Sequence, residues 1–159
     1  ADVVIVSVHW GQENVYAALD SQKSLGQKFA DWGADMVIGH HPHVLEEIET
    51  ITSADGRKVP VIYSLGNFTS TMNGEANHIG GFYSCNVVVD NATGEVSVTD
   101  EEFIPVINYF TAGKNNIRVV LYSDYTDEMA AKHGLGLTRE YIDEVLRDTV
   151  GTKYVKGLE

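Results

Sequence analysis

The sequence has a single cysteine, Cys85, which excludes an internal disulfide and a cysteine-built zinc site. Basic residues are scarce. Against 23 Asp and Glu stand 11 Lys and Arg, a formal net charge of −12. So negative a surface argues against nucleic acid or an anionic membrane as principal partner, because both demand a positive face. A small anionic substrate stays compatible, since a bound cation reverses the local field. No apolar run approaches the roughly 20 residues of a spanning helix, and no basic-then-apolar leader opens the chain. An initiator methionine is also missing. Ala1-Asp2 runs straight into a strand pattern, which reads as a piece of a longer protein. Proline is rare, at 3 residues, and 43% of the chain is hydrophobic, the balance of an ordinary globular protein. A length of 159 residues suits one domain with one core.

What is present is ordered. Val3 to Val8 is a nearly continuous β-branched run, the pattern of a strand covered on both faces. It ends in His9-Trp10-Gly11. Helical spacing follows from about Ser21, with Leu25, Phe29 and Trp32 on one predicted face, Asp20 or Ser21 as cap and Gly33 as stop. Met36-Val37-Ile38 is a second apolar run, halted by Gly39 and the cluster His40-His41-Pro42-His43. These segments predict one strand-helix-strand unit with a right-handed crossover. After Pro42 the texture turns antiparallel. Val44 to Ile51 and Val59 to Ser64 flank a turn at Asp55-Gly56, and Phe82 to Asp90 and Glu95 to Val106 flank Asn91 to Gly94. Asn73 to Gly81 reads as a loop. Ile117 to Tyr122 reads as a strand and Thr126 to His133 as a short helix. Thr138 caps a final helix to about Thr149, with Leu137 and Ile142 as a hydrophobic staple.

The chemistry concentrates at two strand ends. In an open parallel sheet, ligands sit beyond the carboxyl ends of the strands. His9 follows the first strand, and His40, His41 and His43 follow the second. If those strands are neighbours, the histidines converge, and a neutral imidazole binds zinc, manganese or iron near neutral pH. His41 and His43 have the spacing to point to one side of an extended segment, with Pro42 stiffening the backbone between them. His40 then faces the other way, toward a partner of the ligands or toward substrate. Other residues carry a bland reading beside the functional one. Glu13 is either a solvated loop acid or a contact to substrate or to a ligand. Asn67 either forms a turn or bonds substrate or a ligand. Trp10 packs the core or walls a pocket. Glu46, Glu47 and Glu49 read as a solvated strand face, and His78 and His133 as surface residues. Asn67-Phe68-Thr69 and Asn91-Ala92-Thr93 match the glycosylation pattern, which arises easily by chance.

Three segments together carry a family likeness: His9-Trp10-Gly11-Gln12-Glu13, then Gly33 through His43, then Tyr63-Ser64-Leu65-Gly66-Asn67-Phe68. In order and spacing they resemble the bacterial poly-gamma-glutamate capsule biosynthesis (CapA-like) family, over roughly the first 70 residues. That family is similar to the calcineurin-like metallophosphoesterases, which have a layered α/β sandwich and a two-metal site. The resemblance implies an α/β fold in which the whole chain, residues 1–159, is the carboxy-terminal portion of one such domain. That portion is a partial sandwich, one β-α-β unit followed by antiparallel hairpins and C-terminal helices. It also implies that His9, His41 and His43 are metal ligands, with a His40 and His43 register as the alternative. His40 would act in catalysis, and Glu13 and Asn67 would contact substrate. The implied cofactors are divalent ions, Mn, Zn or Fe. The early aspartates and the asparagine-histidine motif of such enzymes have no counterpart before Val3, so the ligand set is incomplete here.

The function implied is a metal-dependent hydrolase-like role in capsule or cell-envelope polymer biosynthesis, on an anionic polymer or a phosphoester. The alternative is a non-catalytic module that binds polymer or assists assembly on the same fold. The resemblance places the parent at the extracellular face of the cell envelope and allows membrane association. For the isolated chain it predicts weak metal binding, little turnover, and a homo-oligomer or swapped dimer.

Overall fold

The computed structural model describes residues 1–158. Its order is β1 (Ile5–His9), α1 (Asp20–Asp31), β2 (Met36–His40), β3 (Ile48–Thr52), β4 (Lys58–Ile62), a 3₁₀ turn (Glu75–His78), β5 (Ile79–Val89), β6 (Val96–Thr111), β7 (Asn115–Leu121), α2 (Asp127–Lys132) and α3 (Arg139–Asp148). Strands β1-β2-β4-β3 form a mixed sheet, and β5-β6-β7 form an antiparallel one. The fold is mixed α/β. Among the described residues no helix is long and apolar enough to cross a membrane.

The β1-α1-β2 unit is parallel, with Ile5 opposite Met36 and His9 opposite His40. This register brings the two histidine-bearing ends side by side. Alternation along β2 and β4 divides the core, because successive strand residues face opposite sides of a sheet. Val37 and Val61 face α1 with Trp10 and Tyr63. Met36 and Ile62 face the second sheet, sharing a cluster with Leu45, Ile79, Phe103, Ile107, Ile142 and Leu146. An isolated bridge from Gly66 to Gly80 ties the passage after β4 to the second sheet, next to a bridge from Leu45 to Leu65.

Several expectations are corrected. β1 is not covered on both faces. It is the edge of its sheet, its residues alternate between exposed and half-buried, and Ile5 is 51% exposed. A β-branched run reports strand propensity, whereas burial depends on which neighbours the sheet supplies. In α1 the N-cap is Leu19 rather than Asp20 or Ser21, and the Gln22 carboxamide reaches back to accept from the Leu19 amide at 2.8 Å. Leu25 and Phe29 pack on the core. Trp32 does not, because the helix stops one residue before it, and it is 73% exposed. The supposed loop 73–81 instead holds the 3₁₀ turn and the start of β5.

Three polar residues read as solvated are buried. Glu46 and His78 are fully enclosed and His133 is 5% exposed. Glu46 lies on the short passage between His43 and β3, beneath α1, where Gln22 Nε2 donates to it at 2.7 Å. His78 donates from Nε2 to the Met72 carbonyl at 2.8 Å, and its ring lies tilted against Phe110 and edge-on to His133. The tail behaves as expected. Thr138 accepts from the Tyr141 amide, and Leu137 and Ile142 are both buried. Each such apolar side chain contributes on the order of 1.5–3 kcal/mol.

Candidate metal centre

The site forms where β1 and β2 end. Trp10 donates its backbone N–H to the His40 carbonyl at 3.0 Å, and Asn14 donates to the Pro42 carbonyl at 2.8 Å, so the two loops are laced together. Gly39 lets them close. A Cβ there would lie 2.0 Å from the Tyr63 carbonyl oxygen and 2.3 Å from Trp10 Nε1, which itself donates to that carbonyl at 2.9 Å.

The His-Pro-His segment is not extended. His41 and His43 have φ values of 105° and 60°, a left-handed conformation that non-glycine residues adopt at a cost of about 1–3 kcal/mol each. Two such reversals around Pro42 turn both imidazoles inward, which an extended strand would not require. The rings of His41 and His43 are 6.0 Å apart, and that of His9 lies 4.4 Å from His41.

Glu13, His41 and His43 each bring one ligand atom within 4.8 Å of the others. Ligand distances of about 2.1 Å in a tetrahedral site place donors about 3.4 Å apart, so a rotation of the exposed Glu13 toward the two imidazoles is what closes the set. His9 stands beside this trio, its ring against His41. His40 is exposed at the end of β2, and among the described residues its side chain has no hydrogen bond or ring contact. Asn67 is turned toward His43. Its Oδ1 meets His43 Nδ1 at 2.8 Å, while its Nδ2 donates to the carbonyls of His43 at 3.2 Å and Asn77 at 3.0 Å. An amide that donates twice to carbonyls leaves only its oxygen for the ring, so His43 carries its proton on Nδ1 and presents the Nε2 lone pair outward. The donor set, neutral imidazoles and a carboxylate, suits zinc, manganese or iron.

Glu13 as a member of this group is weakly marked in the sequence, since only its distance from the strand end hinted at it. Asn14 and Asn77 carried no signal at all. Asn14 is left-handed at φ 60°, a conformation asparagine tolerates better than most residues. Beneath the loop, burial pushes the Glu46 carboxyl up to about 7. Burial likewise lowers both His78 and His133, holding them neutral.

Residues 1–72, which hold the whole trio and Asn67, match the family described as bacterial capsule synthesis protein PGA_cap. Those residues are CapA-like. The CapA-like segment is 47% identical over 68 residues to the PGA biosynthesis protein CapA of Bacillus subtilis, covering 43% of this chain and 17% of that protein. It is 40% identical over 68 residues to the capsule biosynthesis protein CapA of Bacillus anthracis, covering 43% of this chain and 15% of that one. A probable polyglutamine synthesis accessory protein of Mycobacterium tuberculosis is 32% identical over 77 residues, 48% of this chain and 19% of its own length. The matched part thus spans less than a fifth of each of these relatives.

Proposed function

We propose that the chain is part of a metal-dependent hydrolase-like protein acting in capsule, poly-gamma-glutamate, or other cell-envelope polymer biosynthesis. The observation that carries this reading is the convergence of Glu13, His41 and His43 from two loops onto one place. The capsule names of the Bacillus relatives support the polymer and a cell-envelope setting, to which the proposal adds the extracellular face.

His41, His43 and Glu13 would hold a divalent ion, with His9 beside them as a further imidazole. A bound ion there supplies Lewis acidity. The residues themselves do the rest. Asn67 orients His43 and fixes its tautomer. Exposed His40 stands at the rim, where it would hold or pass a proton at a substrate oxygen. Trp10 and Tyr63 close the floor against water, and the loss of charge repulsion at a cation admits an anionic polymer or phosphoester to an otherwise acidic chain.

A polymer-binding module on the same fold is the second reading. It is supported by the accessory role printed in the name of the Mycobacterium tuberculosis relative, a probable polyglutamine synthesis accessory protein. The test is calorimetric titration of Zn²⁺ or Mn²⁺ into the chain and into its Glu13→Gln, His41→Ala and His43→Ala variants. It is coupled to hydrolysis assays of the full-length parent on a phosphoester and on a γ-glutamyl oligomer. We expect one ion bound weakly, and lost in each variant. Metal binding unaffected by all three substitutions would end the metal reading, and a loaded parent that binds oligomer without turnover would select the module.

A further inference from the structure

The residue that holds the trio in register lies outside the CapA-like segment. Asn77 belongs to the 3₁₀ turn that leads into β5, past residue 72, and its side chain is 4% exposed. Its Nδ2 donates twice. One bond goes to Asn14 Oδ1 at 2.8 Å, the other to the His43 carbonyl at 2.9 Å. Both acceptors sit on residues held at φ 60°, one beside Glu13 and the other a member of the trio. A single carboxamide therefore pins the β1 loop and the β2 loop where their ligands face each other. Left-handed residues of this kind persist only where the surroundings over-determine them.

Asn77 is itself held by the segment around it, which the second sheet anchors. Its amide donates to the Gly74 carbonyl, and its own carbonyl accepts from Asn67. Next to it, His78 is fully buried against Phe110 of β6 and bonded to Met72. Asn108 of β6 donates from Nδ2 to the Ser70 carbonyl at 2.6 Å. The segment 70–78 is thus fastened to β6 at two points, and Asn77 carries that rigidity into the histidine loop.

We infer that Asn77 is a positioning residue for the candidate metal centre, fixing Asn14 and the His43 backbone so that Glu13 and His43 keep their mutual placement. This rests on the metal reading for its effect on affinity, but its geometric content stands in the metal-free protein. The experiment compares the wild-type chain with Asn77→Ala, with Asn77→Ser, whose hydroxyl is too short to span both acceptors, and with Val98→Ala. The last is a core truncation in the β5–β6 hairpin and serves as a stability control.

Two readouts are taken: Zn²⁺ affinity by calorimetry, and amide exchange of Asn14 with the His43 ring-nitrogen resonances by NMR without metal. Both Asn77 variants should bind Zn²⁺ about 10–100-fold more weakly, the range for residues that orient a ligand, and should exchange the Asn14 amide faster. Val98→Ala should lose stability with both readouts unchanged. Wild-type affinity and protected Asn14 in a folded Asn77→Ser chain would overturn the inference. If the wild type binds no Zn²⁺, the metal reading fails separately, and the metal-free spectra alone decide the role of Asn77.

Discussion

Asn67 and His43 hold each other twice, side chain to ring at 2.8 Å and side chain to backbone carbonyl at 3.2 Å. The first bond sets where the imidazole proton sits, and the second sets where the ring points. Glycines on both sides make this possible. A Cβ on Gly80 would stand 2.2 Å from the Asn67 carbonyl oxygen, and one on Gly66 would stand 2.4 Å from that of Ile79. Asn67→Ala is therefore expected to weaken divalent-metal binding about 10–100-fold. Calorimetric titration with Zn²⁺ checks this, and undiminished affinity would remove Asn67 from the site.

Glu46 predicts a stability that depends on pH in an unusual direction. Its carboxyl is raised from 4.5 to about 7 by burial, so the native state favours the protonated form. Stability from this group is fully present below 4.5 and is lost as pH rises through about 7. Glu46→Gln should be more stable than wild type at about pH 8, by at most about 3 kcal/mol, with the gap closing toward about pH 4.5. Urea melts at both pH values measure it. An equal gap at both would refute the cause.

The buried histidines act oppositely. His78 and His133 are lowered from 6.5 because burial penalises their charged forms, and Lys114 also opposes the charge on His78. Their contribution is present above 6.5 and is lost as pH falls below it. In the Glu46→Gln background, where the opposing trend is removed, acid destabilisation should begin below 6.5, and His133→Gln should flatten that limb. Thermal melts across the range decide it.

How far the site could be read in advance depended on the kind of information each residue carries. The strand ends at His9 and His40 were legible because β-branched runs and Gly39 punctuate the chain locally. Their adjacency stayed conditional in the sequence and is settled by the parallel register that sets His9 opposite His40. The inward turn of His41 and His43 was not legible, since nothing in a His-Pro-His triplet states the sign of φ. Nor was the burial of Glu46 and His78, which depends on Gln22 and Phe110 arriving from elsewhere in the chain. The Glu46-Glu47-x-Glu49 run has the composition of a solvated face, yet only tertiary packing decides which carboxylate turns inward.

Gly39 offers a direct test of how tightly the loops close. Adding a methyl group there meets the Tyr63 carbonyl and the Trp10 indole at once. Gly39→Ala should cost about 1–3 kcal/mol or more, the range for overpacking a filled core. Chemical denaturation reads it, and a wild-type midpoint would mean that the loops yield more easily than their spacing implies.

The exposed edge of β1 predicts self-association. Val4 and Ile5 are 41% and 51% exposed, and β1 pairs only with β2 among the described strands. Open apolar edges pair with other chains. Light scattering should detect a dimer or larger species, which Ile5→Lys should return toward monomer. A wild-type chain monomeric at high concentration would contradict this.

The placement of the two tryptophans gives the molecule its own optical gauge. Trp10 is enclosed, its indole N–H tied to the Tyr63 carbonyl under the histidine loops, while Trp32 faces water. Emission from the first should move to longer wavelength when the loops part, against a constant solvent-like signal from the second. The closure of the site can then be followed by fluorescence without a label, a substrate or an ion.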